Sequence, residues 1–454
     1  MKNIKVSVLI YVLNDATHIE KCIQSVRMQT LQEIEILIID GGSTDGTLDM
    51  IKKFAQMDGR IRVIPCSSGV GLQFNTGLRE AKGKYIGICE SDDYLLPHMY
   101  EEQYKIVKKY QLDFLKANVN RFCEADGKEI YFPFTLSNVD SMYHTVINAK
   151  HDRRLLKLGV NGFWSGLYRR DFLLDNKIFM NETKGAAYQD IAFTFLTAIK
   201  AERVMLLKKS FYCYRMDNPN SSVNSPQKLR MLIEEYALLK KRLKEDGLFE
   251  EYKEIYLAWK INGHLWFYDN LSVERRKDYI EIMYEDICGE LSSEKYQEKE
   301  LQPKEKCTLE QIKISKEAFK NYIDESDMII AQMKKSMEQI DGTKEVIIFG
   351  SGNLGRLVAL YLEETGRKVA AYIDNAEDLW GKTERYIPIL QPRLAVNKYP
   401  HAWFVIANMA HFQEMKEQLM DLSVNEKRIL ICNHYDVFLK HILIKAWKEK
   451  YAND

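Results

Sequence analysis

The stretch Ile38-Ile39-Asp40-Gly41-Gly42-Ser43-Thr44-Asp45-Gly46-Thr47 decides the fold. An apolar run stops on an acid, glycines turn the chain sharply, and Ser43 or Thr44 stands ready to cap the helix that follows. Working outward, short apolar runs at 6–10, 34–39, 61–64 and 85–89 alternate with helical patterns at 19–28 and 47–55. That alternation predicts a largely parallel sheet wrapped by helices, in which ligands sit beyond the carboxyl ends of the strands.

Two strand ends are acidic. Asp40 closes the second strand before any cap is needed, so its carboxylate is a candidate acceptor for a nucleotide base or ribose. Asp45, in the first turn of the next helix, suits the helix dipole. The fourth strand runs into Glu90-Ser91-Asp92-Asp93. In extended chain, residues 90 and 92 point to the same side, with carboxylates about 6–7 Å apart. Their repulsion, about 2.5 kcal/mol at an effective dielectric near 20, would be relieved by magnesium or manganese. Such an ion takes one or two carboxylates plus phosphate oxygens. Asp92 is the expected direct ligand, with Glu90 and Asp93 beside it. Pro97, favoured at a first helical position, places the next helix cap near Leu96.

These residues resemble the opening of family 2 glycosyltransferases with the GT-A fold. The resemblance runs through Val6-Ser7-Val8-Leu9-Ile10, Asn14, the 38–47 stretch, Gly71 to Gly77 and Ala81-Lys82-Gly83-Lys84-Tyr85-Ile86. Glu90-Ser91-Asp92-Asp93 is similar to the family's D-x-D metal motif with glutamate first. Tyr11 and Leu13 stand where proline and tyrosine are usual, Gly41 replaces a common aspartate, and Gln189 replaces a glutamate before Asp190. The resemblance covers residues 4–225. It implies attack of an acceptor hydroxyl on the anomeric carbon of a UDP- or GDP-sugar, with inversion. Asp190 would be the general base, Mg or Mn the cofactor, and Asn14, Asp40, Asp92 and Arg215 the donor-nucleotide contacts. The acceptor would be a glycan or lipid-linked glycan of bacterial surface polysaccharide or glycolipid assembly. Asp190 opens an apolar-faced helix, whose N-terminus favours the charged carboxylate and so predicts a weaker base. Arg215 matches phosphate geometry, and Trp164 is a candidate stacking surface for a sugar or acceptor. The loop Asn218-Pro219-Asn220-Ser221-Ser222 resembles the one that follows the base in these enzymes.

A second strand–helix alternation occupies about 344–432. A strand at 346–349 runs into Gly350-Ser351-Gly352-Asn353-Leu354-Gly355, and the strand at 369–373 ends at Asp374. This is a G-x-G-x-x-G dinucleotide fingerprint in strand–turn–helix context, with Gly350, Gly352, Gly355 and Asp374 as a candidate second nucleotide site. It supports a rival reading, a dinucleotide-dependent sugar-nucleotide oxidoreductase or epimerase. The segment is about half a full dinucleotide fold and holds no Tyr-x-x-x-Lys pair, so an NAD-type dinucleotide is expected to serve no redox step. A third reading, a scaffold keeping only the nucleotide-binding surface, conflicts with the intact Asp40, Asp92 and Asp190.

The expected class is therefore α/β. Residues 1–225 form a GT-A nucleotide-sugar-binding domain, 226–340 a helical region, 341–435 a small Rossmann-like accessory domain, and 436–454 a C-terminal helix. That last helix sets Phe438, Leu443 and Trp447 beside Lys440, Lys445 and Lys448. Docking on the preceding domain is its expected use, and peripheral membrane contact and homo-oligomer formation stay open.

The chain has 454 residues, with 65 Lys+Arg against 65 Asp+Glu. That balance argues against a global basic field for nucleic acid. No two of the eight cysteines stand at C-x-x-C spacing, and a reducing, cytoplasmic setting is the expectation. Met1-Lys2-Asn3-Ile4-Lys5 leads straight into a strand pattern, and no apolar run reaches the roughly 18 residues of a membrane span.

Overall fold

A computed structural model of the chain describes residues 3–434 and 438, apart from 126–127, 138, 159–161, 186, 219–227, 272, 385 and 410. The helix expected over 436–450 and the loop at 219–222 thus fall outside the described residues, Phe438 excepted. Two compact units emerge, residues 1–122 with 131–316, and residues 123–130 with 317–454.

The first unit opens with β1 (Val6–Val12), α1 (Ile19–Arg27), β2 (Ile34–Asp40), α2 (Thr47–Met57), β3 (Ile61–Pro65), α3 (Val70–Glu80) and β4 (Tyr85–Ile88). β5 (Tyr94–Leu95), α4 (Met99–Tyr110), β6 (Phe114–Ala125), β7 (Lys128–Phe134), β8 (Leu167–Arg169), α5 (Arg170–Asp175), α6 (Asp190–Lys200) and β9 (Val204–Arg215) follow. The strand order is β3-β2-β1-β4-β8-β6-β9-β5, with β7 on β6. From β3 to β4 every pairing is parallel, whereas β8 lies antiparallel to both β4 and β6. The expected parallel sheet is therefore a mixed one, parallel in its first half.

Every residue of β1 and of β2 is buried, which explains their uninterrupted apolar runs. Glu35, inside β2, survives burial because Ser7 Oγ and the Lys82 N–H donate to it and Arg62 pairs with it at 3.3 Å. In α1, Ile19, Cys22, Ile23 and Val26 form the buried stripe of an amphipathic helix. The helix α3 has no counterpart in the sequence expectation. Its Gln73 amide donates to the carbonyls of Val12 and Ile39, at 2.9 and 2.8 Å, tying the ends of β1 and β2 together. A Cβ on Gly41 would lie 3.1 Å from that amide, so the tie leaves little space for the family's usual aspartate. Pro97 does not open α4, because that helix starts at Met99 with His98 as its cap residue.

α7 (Lys228–Glu245), α8 (Phe249–Asn270), α9 (Val273–Ser293) and α10 (Pro303–Ile314) complete the unit. Their charged sequence hides a buried polar seam, in which Lys260 meets Asp286 at 3.0 Å and Glu290 at 3.1 Å.

The second unit contains α11 (Lys316–Glu338), β10 (Glu345–Phe349), α12 (Asn353–Glu364), β11 (Lys368–Ile373), β12 (Thr383–Glu384), β13 (Ile387–Leu390), α13 (Pro392–Lys398), β14 (Trp403–Ala407), α14 (Phe412–Asp421) and β15 (Ile429–Cys432). Its sheet runs β12-β13-β11-β10-β14-β15 around a core that includes Ile347, Phe349, Ile373, Phe404 and Ile406. Among the described residues no helix is long and apolar enough to cross a membrane.

Candidate active site

β1 is flanked by β2 on one side and β4 on the other. The crevice beyond their carboxyl ends is a topological switch point. It gathers the residues after Val12, Asp40 and Ile88.

On the β2 side, Asp40 accepts from the N–H groups of Gly42 and Ser43. Asn14, in left-handed backbone at φ 53°, accepts from the Thr44 N–H at 2.8 Å. Its own N–H donates to Ser43 Oγ. Asn14 and Asp40 thus shape one loop from its two ends. Asp45 lies below the usual carboxylate range: burial opposes this, but the Thr47 hydroxyl and the Ala16 and Thr47 N–H groups outweigh it.

The 90–93 segment is a turn and not the extended chain expected from the sequence, because the Asp93 N–H donates back to the Glu90 carbonyl at 3.1 Å. The turn separates the three acids. Asp93 is buried, with one oxygen taking the Tyr212 hydroxyl at 2.7 Å and the other the Arg215 N–H at 2.7 Å. Glu90 accepts from the Tyr11 hydroxyl at 2.8 Å, so the departure at Tyr11 contacts the motif itself. Asp92 accepts from the Asn218 amide at 2.8 Å, and Ser91 donates to Asp15. Glu90 is pushed up to about 8, first by burial and then by the charge of Asp92. Asp92 is raised by burial despite Asn218, and Asp93 is raised well above the usual range by burial and by Asp92 and Glu90.

These raised acids test the fit of a cation. Glu90 and Asp92 offer hard carboxylate oxygens that destabilise one another, which suits magnesium or manganese. Among the described residues no group of three His, Cys, Asp or Glu converges on one point. A cation that takes one or two carboxylates and completes its shell with phosphate and water needs no such group.

Arg215 is buried, its guanidinium donating to the Asp92 carbonyl and pairing with Asp217 at 3.0 Å. Trp164 is 9% exposed and stacks on Tyr212 and Tyr214, with centroids 4.2 and 4.8 Å apart. Both residues therefore back the acidic turn from beneath.

Asp190 is the first residue of α6. The sequence points to a weakened base; the structure moves its pKa the other way, up to about 6, because burial outweighs its backbone hydrogen bond and the charge of Lys116. Lys116, a buried cation on β6, is itself lowered to about 8 by burial, against the pull of Asp190. Its place in Phe114-Leu115-Lys116-Ala117 is the signal that sequence reading passed over. Asp15 and Glu235 were missed as well, and nothing in their local sequence distinguishes them.

In the second unit, Gly350 has φ 108° and Gly355 packs so closely that a Cβ would lie 2.0 Å from the Gly350 carbonyl oxygen. Asp374 reaches into this loop, accepting from the Ser351 N–H at 3.0 Å and its hydroxyl at 2.7 Å. A Cβ on Gly352 would meet open space.

This crevice on a half-parallel, half-mixed sheet defines a GT-A-type α/β domain. Residues 7–173 match the profile described as "Glycosyl transferase family 2", so this N-terminal segment is similar to that family. Residues 342–430 match "C2185-like, N-terminal". The chain is similar to the uncharacterized glycosyltransferase EpsJ of Bacillus subtilis, 31% identical over 230 residues, covering 50% of this chain and 65% of EpsJ. It is 28% identical over 216 residues to the glycosyltransferase GlyA of Streptococcus pneumoniae, covering 47% of this chain and 30% of GlyA. It thus spans less than two thirds of either relative. Among solved structures, S. aureus TarS 1–349 in complex with UDP-GlcNAc shares the fold at a TM-score of 0.54 and 19% identity, over 70% of this chain and 92% of that one.

Proposed function

We propose that the chain is an inverting glycosyltransferase that moves a sugar from a UDP- or GDP-sugar to a hydroxyl of a glycan or lipid-linked glycan. The observation that carries the reading is the pairing of a raised acid cluster, Glu90 and Asp92, with a separate raised acid, Asp190, at one switch-point crevice. Asp40 and Asn14 shape the wall for the base and ribose. Asp92, with Glu90 beside it, would hold Mg or Mn, and such an ion supplies charge neutralisation to a departing diphosphate. Asp93 and Arg215 keep the turn in place, while Trp164 and Tyr214 support it.

Asp190 takes the proton from the acceptor hydroxyl as that oxygen bonds the anomeric carbon. The bond from that carbon to the phosphate oxygen breaks, and the nucleoside diphosphate leaves with the electron pair. A single displacement inverts the configuration. A titration point near 6 leaves Asp190 ionised at neutral pH while keeping it a stronger base than an ordinary aspartate.

In the same proposal residues 1–225 carry catalysis, 226–340 a helical region and 341–435 an accessory module without a redox step. Supporting this, Asp374 is engaged by the glycine loop itself. The deciding experiment is release of UDP or GDP from nucleotide-sugars with manganese, parent against Asp92→Asn. Loss in the variant supports the reading, and equal release without metal contradicts it.

A further inference from the structure

Beside Asp190 stands a residue whose geometry the proposed chemistry leaves unused. Tyr188 adopts left-handed backbone at φ 68°, a conformation that a bulky L-residue rarely takes. Its hydroxyl is covered and lacks a hydrogen-bond partner. Orphaned polar groups of this kind are uncommon and call for an explanation. Burial raises the pKa of this hydroxyl, and the charge of Asp190, two residues on, adds to the rise. The Tyr188 ring is held edge-on by two aromatic residues of α8, Trp266 at 6.4 Å and Phe267 at 6.3 Å between centroids. Phe267 is 3% exposed, whereas Trp266 is 47% exposed. A strained tyrosine thus links an open indole on the helical region to the carboxylate on α6.

An exposed indole here is unlike the other large aromatics of the site. Trp164 has its ring stacked on Tyr212 and Tyr214, while Trp266 meets Tyr188 only edge to face and keeps ring surface open. Indole faces bind the C–H faces of pyranose rings through dispersion and the ring quadrupole. A sugar seated there would lie beside the segment that carries Asp190. A polyol or simple lipid headgroup has no flat apolar face to match.

We infer that Trp266, set by Tyr188, is the acceptor platform of this chain and that the acceptor's reacting end is a pyranose sugar. The Tyr188 ring sets the indole, and the strained backbone holds the platform in register with the base. The inference rests on the glycosyltransferase reading for the site's chemistry, but the binding it describes is measurable without turnover.

The test is saturation-transfer NMR on the full chain with the methyl β-glycosides of glucose, galactose and N-acetylglucosamine. At least one should receive saturation at its ring C–H protons, and Trp266→Ala should remove it while Trp266→Phe restores part. Tyr188→Leu, which removes the ring that sets the indole, should weaken binding about fivefold, whereas Tyr188→Phe, which keeps the ring, should leave it unchanged. In transfer assays Trp266→Ala should raise the acceptor KM about tenfold, with the change on the acceptor KM and not the donor KM. Saturation lost with Trp266→Ala in a chain that releases no nucleotide would uphold the platform and overturn the catalytic reading. Turnover in the parent with saturation absent, or identical in parent and Trp266→Ala, would overturn the platform and leave the catalytic reading standing.

Discussion

Asp190 and Asp92 carry different duties, and their surroundings make the difference measurable. Burial sets Asp190 near 6, so the base form grows with pH up to about that value. Transfer should rise about tenfold per unit below pH 6 and level off above it. Asp190→Asn should leave donor binding intact, lower transfer by about a hundredfold or more, and erase that limb. Unchanged turnover with an authentic acceptor would contradict the assignment. Asp92→Asn should remove most metal-dependent activity, and so should a chelator with the parent. The acidic motif was legible in sequence, but its division of labour was not. Asp92 and Asp93 are adjacent identical residues, and only the fold shows that Asp93 is engaged by Tyr212 and Arg215 while Asp92 meets Asn218. The direction of the Asp190 shift was equally hidden, since a helix N-terminus is visible in sequence and three-dimensional burial is not.

At the scale of elements, the segment leading to Asp190 is fastened from two helices. α3 holds it through Asn75, which donates to the Met180 carbonyl and accepts from the Met180 N–H. α7 holds it through Glu235, which accepts from Asn181 and Thr183. Gly71 lies so near that a Cβ would fall 1.8 Å from the Asn181 carbonyl oxygen. Gly71→Ala should therefore destabilise the chain by about 1–3 kcal/mol, read as a lowered Tm. Glu235 is raised from 4.5 to about 7 by burial, against its two hydrogen bonds and with the Asp190 charge adding to the rise. Because the folded value lies above the unfolded one, the stability it contributes is present below about pH 4.5 and is lost as pH rises through 7. Glu235→Gln mimics the protonated form. Its Tm relative to the parent should improve from pH 5 to about pH 7 and level off above, and a pH-independent difference would contradict the linkage. The strands around these helices were legible because β1 and β2 are buried on both faces. α3 was not, because Gly71 and Gly77 interrupt its helical pattern, and only their close packing, Gly77 on Leu9 and Ile39 and Gly71 on Asn181, explains them.

At the scale of the molecule, the two α/β sheets were visible as separate strand–helix alternations with different glycine loops. The antiparallel strands β8 and β5 were not, being 3 and 2 residues long, too short for a periodic signal. A chain ending at residue 340 should retain donor hydrolysis, and the intact protein should show no NAD reduction at 340 nm during turnover. Reduction lost on changing Gly352 to a bulky residue would favour an oxidoreductase instead. The most direct test of the central claim is nucleoside diphosphate release from UDP- and GDP-sugars with magnesium or manganese, comparing the parent with Asp190→Asn in the presence of a glycan acceptor. The account predicts metal-dependent release from at least one donor, stimulated by the acceptor and lowered about a hundredfold or more in the variant. Release undiminished in Asp190→Asn, or absent from every donor with either metal, would contradict it.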